Sequence, residues 1–122
     1  MKNATRQKPT LEGTARLYQG FADPVRLRLL RLLDEGREVC VCHLHGALGV
    51  PQPTVSRHLA TLRKLGLVVG RKDGLWVYYR RAEVSGLRRA LLEGLGACPD
   101  GEEVFAEDRR RLEEALGGCC GP

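Results

Sequence analysis

The sequence lacks long hydrophobic runs. No apolar stretch approaches the roughly 18 consecutive residues that a membrane-spanning helix needs, and the opening segment MKNATRQKPTLEG contains nothing like the hydrophobic part of a signal peptide. We therefore expect a cytoplasmic protein with no membrane partner. The chain also contains no internal repeat and no low-complexity block, and its 122 residues suit about one domain.

The cysteines do not have the pattern of a disulfide framework. The chain contains five, an odd number that cannot all pair within one chain, and a reducing cytosol disfavours disulfides. Cys40 and Cys42 are clustered and Cys119 and Cys120 are adjacent, whereas Cys98 stands alone beside a proline. Clustered thiols indicate ligands for a soft ion, and Cys98 is interpreted as structural or incidental.

Negatively charged residues are in the minority. The chain has 20 lysines and arginines against 15 aspartates and glutamates, which gives a net charge of +5. This balance favours a polyanionic partner, although many basic proteins bind no nucleic acid. Whether the chain binds nucleic acid therefore has to be judged from where its positive charges lie.

The periodicity of the apolar residues predicts six helices and one β-hairpin. Asp23 and Pro24 mark the start of the second helix, Gly36 its end, and Asp73-Gly74 the hairpin turn. The predicted helices cover residues 11–21, 24–36, 38–48, 54–66, 84–95 and 102–116, and the strands cover 67–72 and 75–80. This order predicts a winged helix-turn-helix, a mainly α fold with a β-hairpin wing. The size of the chain is typical of small regulators that dimerise, so we expect a homodimer.

The predicted fold divides the chain into three parts. Residues 1–10 are polar and basic and are expected to form a flexible arm. The winged helix-turn-helix, with its DNA-binding and dimerisation surfaces, is expected over residues 11–95. A C-terminal helix and a cysteine-containing tail follow over residues 96–122.

The predicted helix over residues 54–66 has the profile of a helix that enters the major groove of DNA. Its apolar stripe of Val55, Leu59 and Leu62 leaves a small, basic opposite face. The hairpin that follows adds cations suited to backbone phosphates. A solvated helix face is the alternative for the helix alone, but the adjacent basic hairpin favours DNA binding. The candidate DNA contacts are Gln52, Thr54, Ser56, Arg57, Thr61, Lys64, Arg71 and Lys72.

The segment CVCHLH, residues 40–45, lies at the start of the third predicted helix. Residues two apart on a regular helix point about 200° from one another, so Cys40 and Cys42 could share one ion only if the first turn unwound. Such unwinding would couple ion binding to the neighbouring DNA-reading helix. The alternative is that both cysteines are small buried hydrophobes. His43 and His45 are individually weak ligand candidates.

The segments EVCVCHLHGAL, PQPTVSRHLATLRKLGLV and GRKDGLWVYYR resemble the ArsR/SmtB family of metal-responsive repressors, over about residues 11–95. The resemblance implies a dimer that binds operator DNA and dissociates when trivalent arsenic or antimony binds Cys40 and Cys42, with no permanent cofactor. Arsenite repressors of one branch carry a third cysteine where this chain has His45. The resemblance therefore leaves Cys119, Cys120, from the same or the partner subunit, and His45 as candidates for the third ligand.

Other inducers and other functions remain alternatives. Cadmium and lead sensors of the family recruit cysteines from an N-terminal arm, but residues 1–20 contain none, and zinc sensors use histidines on the helix that here spans residues 84–95 and has none. Cadmium, lead and zinc are therefore less favoured inducers. A redox-sensing disulfide is a further possibility. An enzyme that uses thiol catalysis or reduces arsenate is another alternative, but the sequence lacks the glycine loop or oxyanion arrangement that such an enzyme needs.

Overall fold

The structure is a computed structural model that describes residues 10–98 and 102–118. Six helices and a three-stranded antiparallel sheet, with strand order β1-β3-β2, make up this part of the chain. The elements are α1 (Leu11–Gly20), α2 (Pro24–Leu32), β1 (Val39–Cys40), α3 (Val41–Leu48), α4 (Gln52–Lys64), β2 (Val68–Asp73), β3 (Trp76–Arg81), α5 (Gly86–Gly96) and α6 (Glu102–Gly118). The predicted mainly α fold with a β-hairpin wing, a winged helix-turn-helix, is confirmed.

Helix α2 begins where the sequence predicts and ends earlier. The Asp23 carboxylate accepts hydrogen bonds from the backbone N–H groups of Val25 and Arg26, and Pro24 occupies the first turn. The helix ends at Leu32 rather than at Gly36, because Leu33 is extended and buries its side chain in the core. The shorter helix leaves residues to lead the chain back toward the sheet.

The segment before α3 is a strand rather than the predicted first turn of a helix. Val39 and Cys40 pair with Tyr79 and Tyr78 of β3, so the prediction of a helix from residue 38 was wrong. Helix α3 starts at Val41, and Cys40 is its N-cap, with extended backbone and with Sγ accepting from the Cys42 N–H. Pairing with a distant strand has overridden the local helical pattern.

The hairpin is confirmed, and its turn lies one residue later than predicted. Asp73 is paired with Trp76, so the two turn residues are Gly74 and Leu75. Gly74 has φ of +63°, a value that glycine adopts without strain and that suits a tight hairpin. Leu75 is 94% exposed at the tip of the wing.

The core lies between α2, α3, α4 and the base of the sheet. Helix α4 buries Val55, Leu59 and Leu62 completely, which confirms the predicted apolar stripe. Leucines of α2 and α3 meet this stripe in one continuous cluster. Because one side of α4 is fully buried, its opposite side is fixed in orientation toward solvent.

Helix α6 packs against α2 and α3 through an ion pair and through Leu112, which is buried in the core. The Asp108 carboxylate, 1% exposed, accepts from Arg28 at 2.8 and 2.9 Å. Arg28 and Arg111 also donate to the carbonyl groups of Leu48 and Ala47, the last residues of α3. Arg37, before β1, contacts Glu113 farther along α6, so α6 runs antiparallel to α3.

No helix in the ranges 10–98 and 102–118 is long and apolar enough to cross a membrane. The predicted flexible arm, apart from its last residue, and the cysteines at 119 and 120 lie outside the described residues.

Replacing Asp108 with alanine is expected to lower the free energy of unfolding by about 2 to 3 kcal/mol, because it leaves the largely covered Arg28 guanidinium without its counter-ion. Urea unfolding followed by circular dichroism, at one fixed protein concentration, measures this change. Glu113→Ala is the matched control. It removes an exposed ion pair with Arg37 and should cost less than about 1 kcal/mol. Equal losses in the two variants would contradict a structural role for Asp108.

Candidate nucleic-acid interface and thiol site

The exposed side of α4 presents an uncapped N-terminus and a basic end. Pro51 precedes the helix and makes no side-chain capping hydrogen bond. The first backbone N–H groups of α4 are therefore suited to an external acceptor such as phosphate. Arg63 and Lys64 occupy the last turn. The surface of this helix thus favours an anion along its length.

A groove of about 750 Å³ separates α4 from the wing. Gln52, Ser56 and Arg63 line its helix side. Its wing side is lined by Gly70, Arg71, Lys72, Leu75, Trp76, Val77 and Tyr79. Arg63 was missed from the sequence, although its spacing of seven residues from Ser56 places both on one side of a helix. The groove combines cations, polar groups and apolar side chains.

The predicted DNA contacts on α4 divide between two sides of the helix. Gln52 and Ser56 border the groove, while Thr61 and Lys64 line a second cavity beside α1. Arg57 is exposed and Thr54 is half-buried. The Thr61 hydroxyl donates to the Arg57 carbonyl at 3.3 Å. The structure therefore brings Gln52 and Ser56, but not Thr61 and Lys64, to the wing.

The two predicted wing cations differ in their surroundings. Lys72 is exposed beside the groove. Arg71 binds Glu38, with Nε 2.9 and 3.0 Å from the two carboxylate oxygens, and its guanidinium lies 4.8 Å from the centre of the Tyr78 ring. The hydrogen bonds from Arg71 hold the pKa of the Glu38 carboxyl below its usual range. Glu38 and Tyr78 were missed from the sequence, since only the strand register reveals their proximity.

Tyr79 of β3 is paired with Gly70 of β2, and its ring occupies the space that a side chain at position 70 would need. The Tyr79 ring is nearly buried, and a Cβ added at Gly70 would lie 2.8 Å from its Cε1 atom. Only glycine at position 70 accommodates this ring without displacement. The base of the wing is thereby packed tightly against the strand that carries Cys40.

The two clustered thiols are already in contact. The Cys42 thiol donates to the Cys40 sulfur, and the two Sγ atoms lie 2.9 Å apart. Cys40 is 3% exposed, Cys42 is half-buried, and both line the groove. The expectation that a first helical turn must unwind was wrong, because Cys40 is the extended cap of α3 rather than part of it. The two sulfurs therefore lie within reach of one ion without unwinding of α3.

Tyr78 lies beside this thiol pair. It is directly opposite Cys40 in the sheet, so the two side chains share one face. Burial raises the pKa of Tyr78, and the negative charge of Asp73 raises it further. The phenol is therefore neutral beside the thiols at physiological pH.

The histidines do not complete a metal site with the cysteine pair. Within residues 10–98 and 102–118, no three His, Cys, Asp or Glu side chains come together in a group that could hold a metal ion. His45 is half-buried and is not brought to Cys40 and Cys42. His43 is 7% exposed, and its ring nitrogens have no hydrogen-bond partner among the described residues. Cys119 and Cys120 lie outside the described residues.

Known proteins share the segment that carries this site. Residues 23–69 match the family described as "Bacterial regulatory protein, arsR family". The arsenic resistance transcriptional regulator ArsR1 of Pseudomonas putida is 39% identical over 99 residues, which cover 80% of this chain and 76% of that protein. The arsenical resistance operon repressor of Escherichia coli is 52% identical over 64 residues, covering 52% of this chain and 55% of that protein.

A solved structure supports the same assignment. Reduced HlyU from Vibrio cholerae matches with a TM-score of 0.58 and 33% identity, over 69% of this chain and 85% of that chain. The matched segment 23–69 extends from the cap of α2 into β2 and includes the thiol pair and α4. The chain therefore belongs to the arsR family of bacterial regulatory proteins, and it is a winged helix-turn-helix transcriptional repressor rather than an enzyme.

Proposed function

We propose that this repressor binds operator DNA as a homodimer and dissociates when trivalent arsenic or antimony binds Cys40 and Cys42. The observation that carries the proposal is the contact of the two thiols, 2.9 Å apart, on the wall of the groove between α4 and the wing. Ion binding at this point acts next to the proposed DNA-contacting surface. A protein with this role works in the cytoplasm, where its operator lies.

The DNA-contacting surface consists of α4 and the wing. Gln52, Ser56 and Arg57 lie at the N-terminal end of α4, where polar and basic side chains read base edges in the major groove. The uncapped N–H groups of the same end suit a phosphate. Lys72 and Arg71 then contact backbone phosphates from the wing. Thr54, Thr61 and Lys64 complete the proposed surface toward α1.

The dimer interface is proposed on α1 and α5. Leu11 and Tyr18 of α1 and Leu87 of α5 are apolar side chains that stay exposed in the single chain. Exposed large hydrophobic residues on these two helices favour burial against a second copy. A two-fold dimer would present two α4 helices to two half-sites of a palindromic operator.

The donor chemistry of the thiol pair suits a soft, trivalent ion. Arsenic, antimony and other thiophilic ions prefer thiolate ligands, whereas harder metals prefer other ligands. The two sulfurs lie 2.9 Å apart, so the pair is placed to supply two of the ligands to one ion. Ion binding also competes with the hydrogen bond by which Cys40 caps α3. The site therefore couples ligand binding to the start of the helix pair that presents α4.

We propose Cys119 or Cys120 as the third ligand. Both follow directly on Gly118, the last residue of α6, and α6 runs antiparallel to α3 toward the end at which the thiol pair lies. The ligand comes from the same or from the partner subunit. His45 is the alternative and would favour zinc, whereas a third thiol favours arsenic, antimony, cadmium or lead.

A second candidate function is redox sensing by the same pair. The contact between the sulfurs of Cys40 and Cys42 favours it. Peroxide would oxidise the two thiols to one disulfide, while the two electrons and two protons released reduce each peroxide to two waters. Loss of operator binding on peroxide treatment, with no response to arsenite, would select this function.

Arsenite is expected to release the protein from its operator at micromolar concentration in the wild type and to leave the Cys40→Ser, Cys42→Ser double variant bound, because that variant lacks the contacting thiols. The operator is a duplex enriched from random sequence by the metal-free protein, and a mobility-shift titration measures release. Cys98→Ser serves as the control and should respond like the wild type. An arsenite response that survives the double substitution, or is absent from the wild type, would overturn the proposal.

The Cys119→Ser, Cys120→Ser variant is expected to need at least about tenfold more arsenite for half-release, since loss of one arsenic–sulfur bond costs more than about 1.4 kcal/mol. The same mobility-shift titration measures the shift. Mixed dimers that carry the tail substitution in one subunit and Cys40→Ser, Cys42→Ser in the other distinguish a ligand in cis from one in trans. Unchanged sensitivity in the tail variant, together with reduced sensitivity of His45→Ala, would assign the third ligand to His45 instead.

A further inference from the structure

We propose that Glu38 is an internal counter-ion for the wing residue Arg71, that operator phosphate must displace it, and that occupation of the thiol pair favours the Glu38–Arg71 contact over the phosphate. This inference rests on the proposed function, since it assigns a second route by which the thiol site lowers DNA affinity. Glu38 acts here as a positioning residue and contacts neither ion nor DNA.

In the DNA-free protein, the Glu38 carboxylate accepts hydrogen bonds from the guanidinium group of Arg71 and balances its charge. Nε of Arg71 lies 2.9 and 3.0 Å from the Glu38 carboxylate oxygens, and its Nη2 lies 2.8 Å from Oε1. Such side-by-side pairing matches the geometry that arginine also uses for phosphate, so one partner excludes the other at the same edge. Asp73, 3.8 Å from Nη1, adds negative charge on the opposite edge.

The strand register connects this contact to the thiols. Cys40 of β1 is paired with Tyr78 of β3, and Tyr78 is paired with Arg71 of β2, so the three side chains form one row on one face of the sheet. The Arg71 guanidinium stacks on the Tyr78 ring at 4.8 Å. Glu38 is two residues before Cys40. Cys40 is therefore connected to both partners of Arg71. Glu38 is linked to it along the chain, and Tyr78 is linked to it by strand pairing.

The consequence is that a change at Cys40 reaches the wing directly. An ion bound by Cys40 and Cys42 replaces the direct contact between their sulfurs, so it acts on β1 and through β1 on Glu38 and Tyr78. The charge of Arg71 is available to a phosphate only when Glu38 releases it. Thiol occupancy can thus reduce the number of phosphate contacts without any movement of α4.

Glu38→Gln tests the inference, because it removes the counter-ion and leaves the thiols, Tyr78 and Arg71 in place. We expect the ion-free variant to bind its operator more tightly than the wild type. The logarithm of its binding constant should also fall more steeply with the logarithm of salt concentration, by up to about 0.9 for each subunit. In the wild type, the Glu38 carboxylate that phosphate displaces takes up a cation, which offsets one cation released from the DNA. The fold-change in operator affinity on adding arsenite should be smaller than in the wild type.

Two further variants make the experiment decisive. Glu113→Gln removes the same charge from another exposed pair, 3.0 Å from Arg37, and should leave both the salt slope and the arsenite response unchanged. The Glu38→Gln, Arg71→Ala double variant should lose the steeper slope, because the gain acts through Arg71. An unchanged salt slope in Glu38→Gln, or a gain that persists in the double variant, would overturn the counter-ion role.

The outcomes separate this inference from the proposed function. If the wild type releases DNA on arsenite and Glu38→Gln shows the same fold-release, the link between the thiols and Arg71 is wrong while arsenite sensing stands. If the wild type does not respond to arsenite, the proposed function fails, and the link to thiol occupancy fails with it. The salt slope of the ion-free protein then still decides whether Glu38 competes with phosphate for Arg71.

Discussion

A two-residue backbone pairing joins the start of α3 to the wing, and both functional regions depend on it. Val39 and Cys40 pair with Tyr79 and Tyr78, which makes β1 the third strand of the sheet. The pairing holds Cys40 in an extended conformation, so its sulfur turns back onto the N–H and the thiol of Cys42. Were Cys40 inside a regular helix, the two thiols would point in nearly opposite directions.

The elements with strong local signals could be predicted from the sequence, and this pairing could not. The Asp23-Pro24 start of α2 and the apolar stripe of α4 depend on residues within one or two helical turns. Strand β1 has only two residues, too few to show a period of two, and its partner strand begins more than thirty residues later. A prediction from neighbouring residues alone therefore starts α3 too early and places Cys40 inside the helix.

The candidate site was predicted in its chemistry and only partly in its arrangement. The residue types on α4 and the hairpin indicated DNA, and the thiol cluster indicated a soft ion. A helical wheel, however, treats α4 as isolated, whereas in the structure one side of α4 borders a groove next to the wing and another side borders a cavity next to α1. Thr61 and Ser56 thus border different cavities. The Glu38–Arg71 contact depends on tertiary placement, because thirty-three residues separate its partners.

Helix α3 is held unequally at its two ends, and under the proposed function this inequality lets an ion act on the helix without unfolding the protein. At its C-terminal end, Arg28 and Arg111 donate to the carbonyl groups of Leu48 and Ala47, and Arg28 is itself fixed by the buried Asp108. At its N-terminal end the cap is a sulfur atom, 3.4 Å from the N–H it accepts, and sulfur is a weak acceptor.

Losing even a good oxygen cap costs a helix only about 1 kcal/mol, and a sulfur cap contributes less. A ligand shifts a conformational equilibrium only by its difference in affinity for the two states. Under the proposed function, bonds from a soft ion to two thiolates therefore change the start of α3 and β1 at little cost, while the buried ion pair and the leucine core keep the remainder of the helix in place. The N-terminal end of α3 is also the end that faces the groove, so its sulfur cap lies next to the surface that we propose binds DNA.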